Sequence, residues 1–288
     1  MEIGTPIVLM NDDNVVNLKN RNRSWGACTM KFGLKTLVAS VVMVGSLSHA
    51  VAAETMPLPF PGTVTGNVSV VSNYNLRGIT TAPWGPENDN AAVQGGLDYS
   101  HDSGFYLGYW FSTLGYSYAG LQPGCLGTKC TTKSFENDFY AGFKGKLNDE
   151  VGYTVGGTIY YYYPGWESMG YETMLGLNYK EFSVSAQTLL NNVTFGNQGD
   201  TYFLATYAPA LPAGFTGKVQ LAAYYYGDDD EFTGPTTTDF AFRHATLGLS
   251  HPLGATGANM SLDYVFGGYA RDESKQKNKV VLGASYTF

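Results

Sequence analysis

From about residue 64 to residue 288, apolar and polar residues alternate in runs separated by clusters of Gly, Asn, Asp and Ser. A period of two puts successive side chains on opposite faces of an extended chain. Over 105–113, for example, Phe105, Leu107, Tyr109 and Phe111 share one face, and Tyr106, Gly108, Trp110 and Ser112 the other. Counting such runs predicts twelve strands, over 64–77, 91–100, 105–113, 135–147, 151–163, 171–180, 182–190, 201–207, 215–226, 240–250, 260–266 and 280–288. Alternation is weakest in the seventh, eighth and tenth. Most runs come close to the ~9–11 residues that a tilted strand needs to cross a bilayer.

The connections carry a second rhythm. Odd-numbered ones, such as 79–90, 114–134 and 191–200, are longer than the even-numbered ones beside them, such as 148–150 and 180–181. Membrane barrels have long outer loops and short periplasmic turns. Strict alternation makes the strand number even and leaves both ends of the barrel in the periplasm, whereas a soluble sandwich obeys no such rule. The expected fold is all-β, a transmembrane antiparallel β-barrel of about twelve strands over 64–288.

The last run points the same way. Val280, Leu282, Ala284, Tyr286 and Phe288 fall on one face, and Phe288 ends the sequence. A barrel can finish on such a strand because its last strand pairs with its first, so no edge is left open to lipid. This ending resembles the carboxy-terminal assembly signal of bacterial outer-membrane barrels, in which a terminal Phe and alternating apolar residues are read by the insertion machinery. Leu282, Ala284, Tyr286 and Phe288 are the residues that resemblance implicates.

Composition agrees. Charged residues are 14% and aromatic residues 15%, with 22 Tyr and 36 Gly, which suits aromatic girdles and closely packed strands better than disorder. No uninterrupted apolar run reaches the ~18–20 residues of a membrane-spanning helix. The longest, over 37–53, follows Met30, Lys31 and Lys35 and ends Ala50-Val51-Ala52-Ala53. That is the layout of a secretory signal peptide over 30–53, cleaved after Ala53, with 54–63 a short periplasmic lead-in. Residues 1–29 precede it as an upstream extension: either translation begins at Met30, or the signal has a long n-region. Residues 1–53 hold five of the 17 Lys/Arg and three of the 24 Asp/Glu, so 12 and 21 remain and the net charge moves from -7 to -9. An acidic chain of this kind does not suit nucleic acid, which draws basic surfaces.

Ser72-Asn73-Tyr74, Leu76-Arg77-Gly78-Ile79, Ala92 to Ser100 (Ala-Val-Gln-Gly-Gly-Leu-Asp-Tyr-Ser), Ser103-Gly104-Phe105-Tyr106 and the Tyr-Tyr-Tyr-Tyr-Pro-Gly of 160–165 together resemble the TorF-type family of proteobacterial porins. The resemblance covers most of 54–288, most densely 68–166, and does not include the segment with Cys125 and Cys130. It implies an outer-membrane porin of a Gram-negative bacterium more firmly than it implies a solute.

With the apolar face toward lipid, the expected lumen receives Arg77, Asp98, Trp110, Glu136, Asp138, Tyr140, Lys144, Tyr160, Tyr162, Glu172, Lys180, Tyr202, Lys218, Tyr224 and Tyr226. Trp110, Tyr160, Tyr162, Tyr202, Tyr224 and Tyr226 sort toward the outer rim with Glu136, Asp138 and Glu172, and Lys144, Lys180 and Lys218 toward the periplasm. The expectation is a narrow, aromatic-lined small-solute channel above a basic vestibule; the alternative is a plugged, non-conducting structural or adhesion barrel. Eight strands are just filled by side chains and sixteen leave an open channel, so twelve fits small solutes or ions. Other expected partners are outer-membrane lipid, lipopolysaccharide and the insertion machinery. Arg243 has no settled side.

Cys125 and Cys130 in an exported chain read as a small disulfide loop; a metal site needs more ligands, and none is expected, nor any cofactor. The Asp228-Asp229-Asp230-Glu231 run reads as a solvated face of an outer loop, with collecting cations or bridging lipopolysaccharide phosphates through divalent ions as the alternative. His101-Asp102-Ser103 is no catalytic relay, because such a relay converges from separate positions, so no enzyme is expected; an outer-membrane hydrolase is the remaining alternative.

Overall fold

A computed structural model describes residues 8–11, 14–17, 60–79, 90–122, 124–227, 233, 236 and 238–288. The signal peptide with Ala53 and the Asp228–Glu231 run lie outside the described residues. Two short strands, β1 (Val8–Asn11) and β2 (Asn14–Asn17), pair as a separate two-stranded sheet.

Twelve further strands close into a barrel: β3 (Thr63–Val71), β4 (Ala92–Ser100), β5 (Phe105–Thr113), β6 (Phe135–Lys146), β7 (Val151–Tyr163), β8 (Gly170–Tyr179), β9 (Phe182–Leu189), β10 (Thr201–Tyr207), β11 (Thr216–Tyr225), β12 (Phe240–Pro252), β13 (Ala258–Gly267) and β14 (Lys279–Thr287). Each pairs antiparallel with its neighbours in sequence. β14 closes on β3 from Gly283↔Val71 to Thr287↔Asn67, and the backbones of Gly66 and Phe288 exchange hydrogen bonds of 2.7 and 2.9 Å. Pairing every edge is what a sheet in lipid requires.

Alternation decides which residue faces where. Val68, Val70, Leu107, Phe139, Phe143, Leu175, Leu221, Leu247, Leu262 and Leu282 point outward and are exposed. In water so large an apolar surface would drive association; in lipid it is solvated. Aromatic residues ring it at two levels. Tyr163, Tyr171, Tyr225 and Phe240 sit at the long-loop end, and Tyr179, Phe182, Tyr207, Phe215, Tyr286 and Phe288 at the short-turn end. Two such girdles mark the two interfaces of a bilayer-spanning barrel.

The first strand is shorter than its sequence pattern. β3 stops at Val71, and residues 72–79 turn into the barrel. Tyr74 and Leu76 share the sequence phase of the lipid-facing Val68 and Val70, yet they are among the most buried of the described side chains. The alternation of 64–77 continues past the strand end because a tight hairpin repeats the same period.

Candidate functional site

The lumen wall is built by tyrosines lying flat on glycines. A Cβ on Gly108 of β5 would fall 2.3 Å from the ring of Tyr140 on β6, and Cβ atoms on Gly142 and Gly156 would fall 2.6 and 2.4 Å from the hydroxyl of Tyr106. Missing side chains on one strand therefore make room for large ones on the next. Tyr106, Trp110, Tyr140, Tyr160 and Tyr162 are all buried along this wall.

Across it reaches the hairpin of residues 72–79. Leu76 and Ile79 bridge, with the Ile79 N–H donating to the Leu76 carbonyl at 2.7 Å. Arg77 and Gly78 at the tip both have positive φ, 42° and 73°, the backbone of a primed two-residue turn. A Cβ on Gly78 would meet the His244 Cβ at 2.6 Å, so the tip touches β12. The Arg77 guanidinium donates to both carboxylate oxygens of Glu172 on β8 at 2.8 Å, to Gln187 Oε1 on β9 at 2.9 Å and to the Tyr224 hydroxyl on β11 at 2.7 Å. It lies 4.6 Å from the ring centroid of Tyr202. Tyr74, on the same hairpin, donates to Glu136 on β6, whose other oxygen accepts from Tyr162 at 2.9 Å. One short segment thus ties together walls that stand five strands apart in the ring.

Arg243 reaches the same place by a bulge. The β11–β12 register shifts at Ala222/Ala223, opposite His244 and Phe242. The extra residue breaks the alternation, so Arg243 and His244 are both buried inside. Arg243 Nε donates to the Arg77 carbonyl at 3.0 Å and its Nη1 to the Tyr269 carbonyl at 2.6 Å. A strict period-two reading leaves its side open; the weak alternation of this strand is the signal that it carries a bulge. His244 Nε2 and the Tyr202 hydroxyl lie 2.7 Å apart.

Above the hairpin, the long loops pack inward. Tyr118, from the 114–134 loop, stacks on Tyr162 with centroids 4.4 Å apart and accepts from Thr194 Oγ1 at 2.9 Å. Arg271 pairs with Asp200 and lies 4.6 Å over the Tyr226 ring. Cys125 and Cys130, in the 114–134 loop, are joined, with their Cα atoms 5.9 Å apart. Tyr118, Asp200 and Arg271 are loop residues and carry no strand phase that would reveal them, whereas Gln187 lies in a strand of weak alternation, β9, and His244 sits beside the β12 bulge.

The short-turn half is wetter. Tyr140 donates to Asp98 at 2.5 Å, Lys144 to Ser100 at 3.1 Å, and Lys218 to Asp263 at 2.7 Å with side chains 33% and 18% exposed. Lys180 is not on the wall. It occupies the two-residue β8–β9 turn with φ 52° and is exposed beside Glu150, because β8 ends one residue before it. In the 101–104 turn, His101 Nδ1 lies 2.8 Å from Ser103 Oγ, a local contact of a tight turn.

Residues 58–283 match the model of a family described as bacterial protein of unknown function, Gcw_chp. Comparison with curated protein sequences returns no match. Solved structures of similar shape include the KdgM porin, with a TM-score of 0.49 and 9% identity over 78% of this chain and 99% of that one. The NanC porin follows at 0.45 and 12%, over 77% and 98%. Outer membrane phospholipase A from Escherichia coli gives 0.43 and 12%, over 84% and 98%.

Proposed function

The chain belongs to the Gcw_chp family, to which no function is attached, and from its own geometry we propose an outer-membrane channel for small solutes or ions, with its long loops outside and both barrel ends in the periplasm. The observation that carries this is the charged network across the lumen, Arg77 with Glu172, Gln187 and Tyr224. Burying charge is a poor way to fill a barrel, since apolar side chains of equal volume hold at least as well. Ionisable residues inside a membrane protein mark pathways. The resemblance to TorF-type porins points the same way. The hairpin crosses the lumen, and the half-buried Lys144, Lys218 and Asp98 lie below it toward the short-turn end.

The second reading, a non-conducting barrel, draws on the burial of Glu136, Asp138, Glu172 and Arg243, all at 4% exposure or less. Planar-bilayer recording of refolded 54–288 separates the two. Wild type should show small, brief openings. The double variant Arg77→Gln/Glu172→Gln, which removes both charges and so leaves neither unpaired, should open more often. Silence from both proteins would put the non-conducting barrel in front.

A further inference from the structure

Asp138 is a carboxylate buried without a base of its own. It faces the lumen from β6 between Trp110 of β5 and Tyr160 of β7, and is 2% exposed. Its Oδ1 has no hydrogen-bond partner, and neither has Oγ1 of Thr158. Thr158, also buried, stands diagonally from it on β7 and is paired in register with Glu172 of β8. The flanking acids are engaged: Glu136 accepts from Tyr74 and Tyr162, and Glu172 from Arg77 and Tyr160.

Among the described residues, Glu136 and Glu172 repel a charge on Asp138 and Arg77 attracts it. Arg77 is itself bound to Glu172 through both carboxylate oxygens. A buried carboxylate with no cation bonded to it among the described residues demands a positive neighbour or a proton. A proton on Asp138 would neutralise that side chain and leave the Thr158 oxygen as it is. A hard cation between them would use both oxygens.

We propose that Asp138 and Thr158 form a binding site for one small monovalent cation of sodium or potassium size. A divalent ion fits less well, because its double charge draws more than one ionised carboxylate. Here the carboxylates of Glu136 and Glu172 are taken up by tyrosine hydroxyls and Arg77. Among the described residues no group of three or more His, Cys, Asp or Glu side chains is arranged to hold a metal ion. The site rests on the lumen geometry and not on conduction, so it stands or falls apart from the channel reading.

The test is thermal unfolding of the refolded barrel in zwitterionic detergent, with sodium, potassium or choline chloride at equal ionic strength so that screening is held constant. Sodium or potassium should raise the midpoint temperature over choline in a saturable way. Asp138→Asn should abolish that response, and Thr158→Val should shift its half-saturation to severalfold higher cation. If Asp138→Asn does not fold, Thr158→Val carries the test alone. Equal midpoints in choline and sodium would overturn the proposal in favour of a bound proton. A cation response unchanged in both variants would overturn it by placing the ion elsewhere.

Discussion

At the scale of single residues, the pairing of Tyr with Gly explains why a chain so rich in both makes a rigid wall. An inward Tyr needs a neighbour that yields volume, and Gly108 yields it to Tyr140, whose hydroxyl then reaches Asp98 at 2.5 Å. Alanine at Gly108 already places a Cβ 2.3 Å from the ring; valine adds two methyl groups to the clash. Overfilling a packed site costs about 1–3 kcal/mol. Gly108→Val should therefore lower the denaturant midpoint of the refolded barrel and release Tyr140 from Asp98. Gly176 is a control on the lumen face of β8, because its Cβ would meet nothing closer than 3.7 Å. Equal losses at both positions would show that strand propensity, and not the Tyr140 ring, sets the effect.

At the scale of elements, the period-two pattern made the strands legible: all twelve barrel strands lie where alternation put them, and the loop rhythm gave their up-and-down order. What it left hidden has a physical cause in each case. The 72–79 hairpin keeps the alternation of the strand before it, so Tyr74 and Leu76 read as lipid-facing until the Arg77-Gly78 turn is seen to fold them inward. Arg243 is displaced by a bulge, which no fixed period anticipates. Lys180 reads as wall only when its strand is extended one residue too far. The closing element is the one most open to test. The Phe288 ring lies over Gly66, where a Cβ would fall 2.4 Å from it, and the two backbones exchange hydrogen bonds. Phe288→Asp places a charge at the lipid interface beside this seam. Export should be unaffected, while the heat-modifiable folded form in outer-membrane fractions should fall sharply; a normal amount of that form would refute the role given to Phe288.

At the scale of the whole molecule, the distribution of charge shapes what the channel would pass. Residues 54–288 carry 21 acidic and 12 basic residues, a net of -9, which favours cations in a lumen with low-dielectric walls. The lumen opposes this locally. Lys144 and Lys218 stand half-exposed in the vestibule, and Lys218 is offset by Asp263 while Lys144 is bonded to the neutral Ser100. Glu136 and Glu172, by contrast, are bound to hydroxyls and to Arg77 where the hairpin crosses the lumen, and an ion passing there would meet them only partly compensated. On the proposed channel reading, the expected balance is a modest cation preference that fades with salt, since screening shortens the reach of each charge to ~8 Å at physiological ionic strength. Lys144→Gln removes a vestibule cation that makes no salt bridge among the described residues, and the lost group lies outside the Arg77 network, so openings should keep their frequency. In a salt gradient the variant's reversal potential should move further to the cation side, and the shift should shrink as total salt rises. A wild-type reversal potential on the anion side, or a Lys144→Gln shift in that direction, would mean that the basic vestibule and not the acidic lumen governs selectivity.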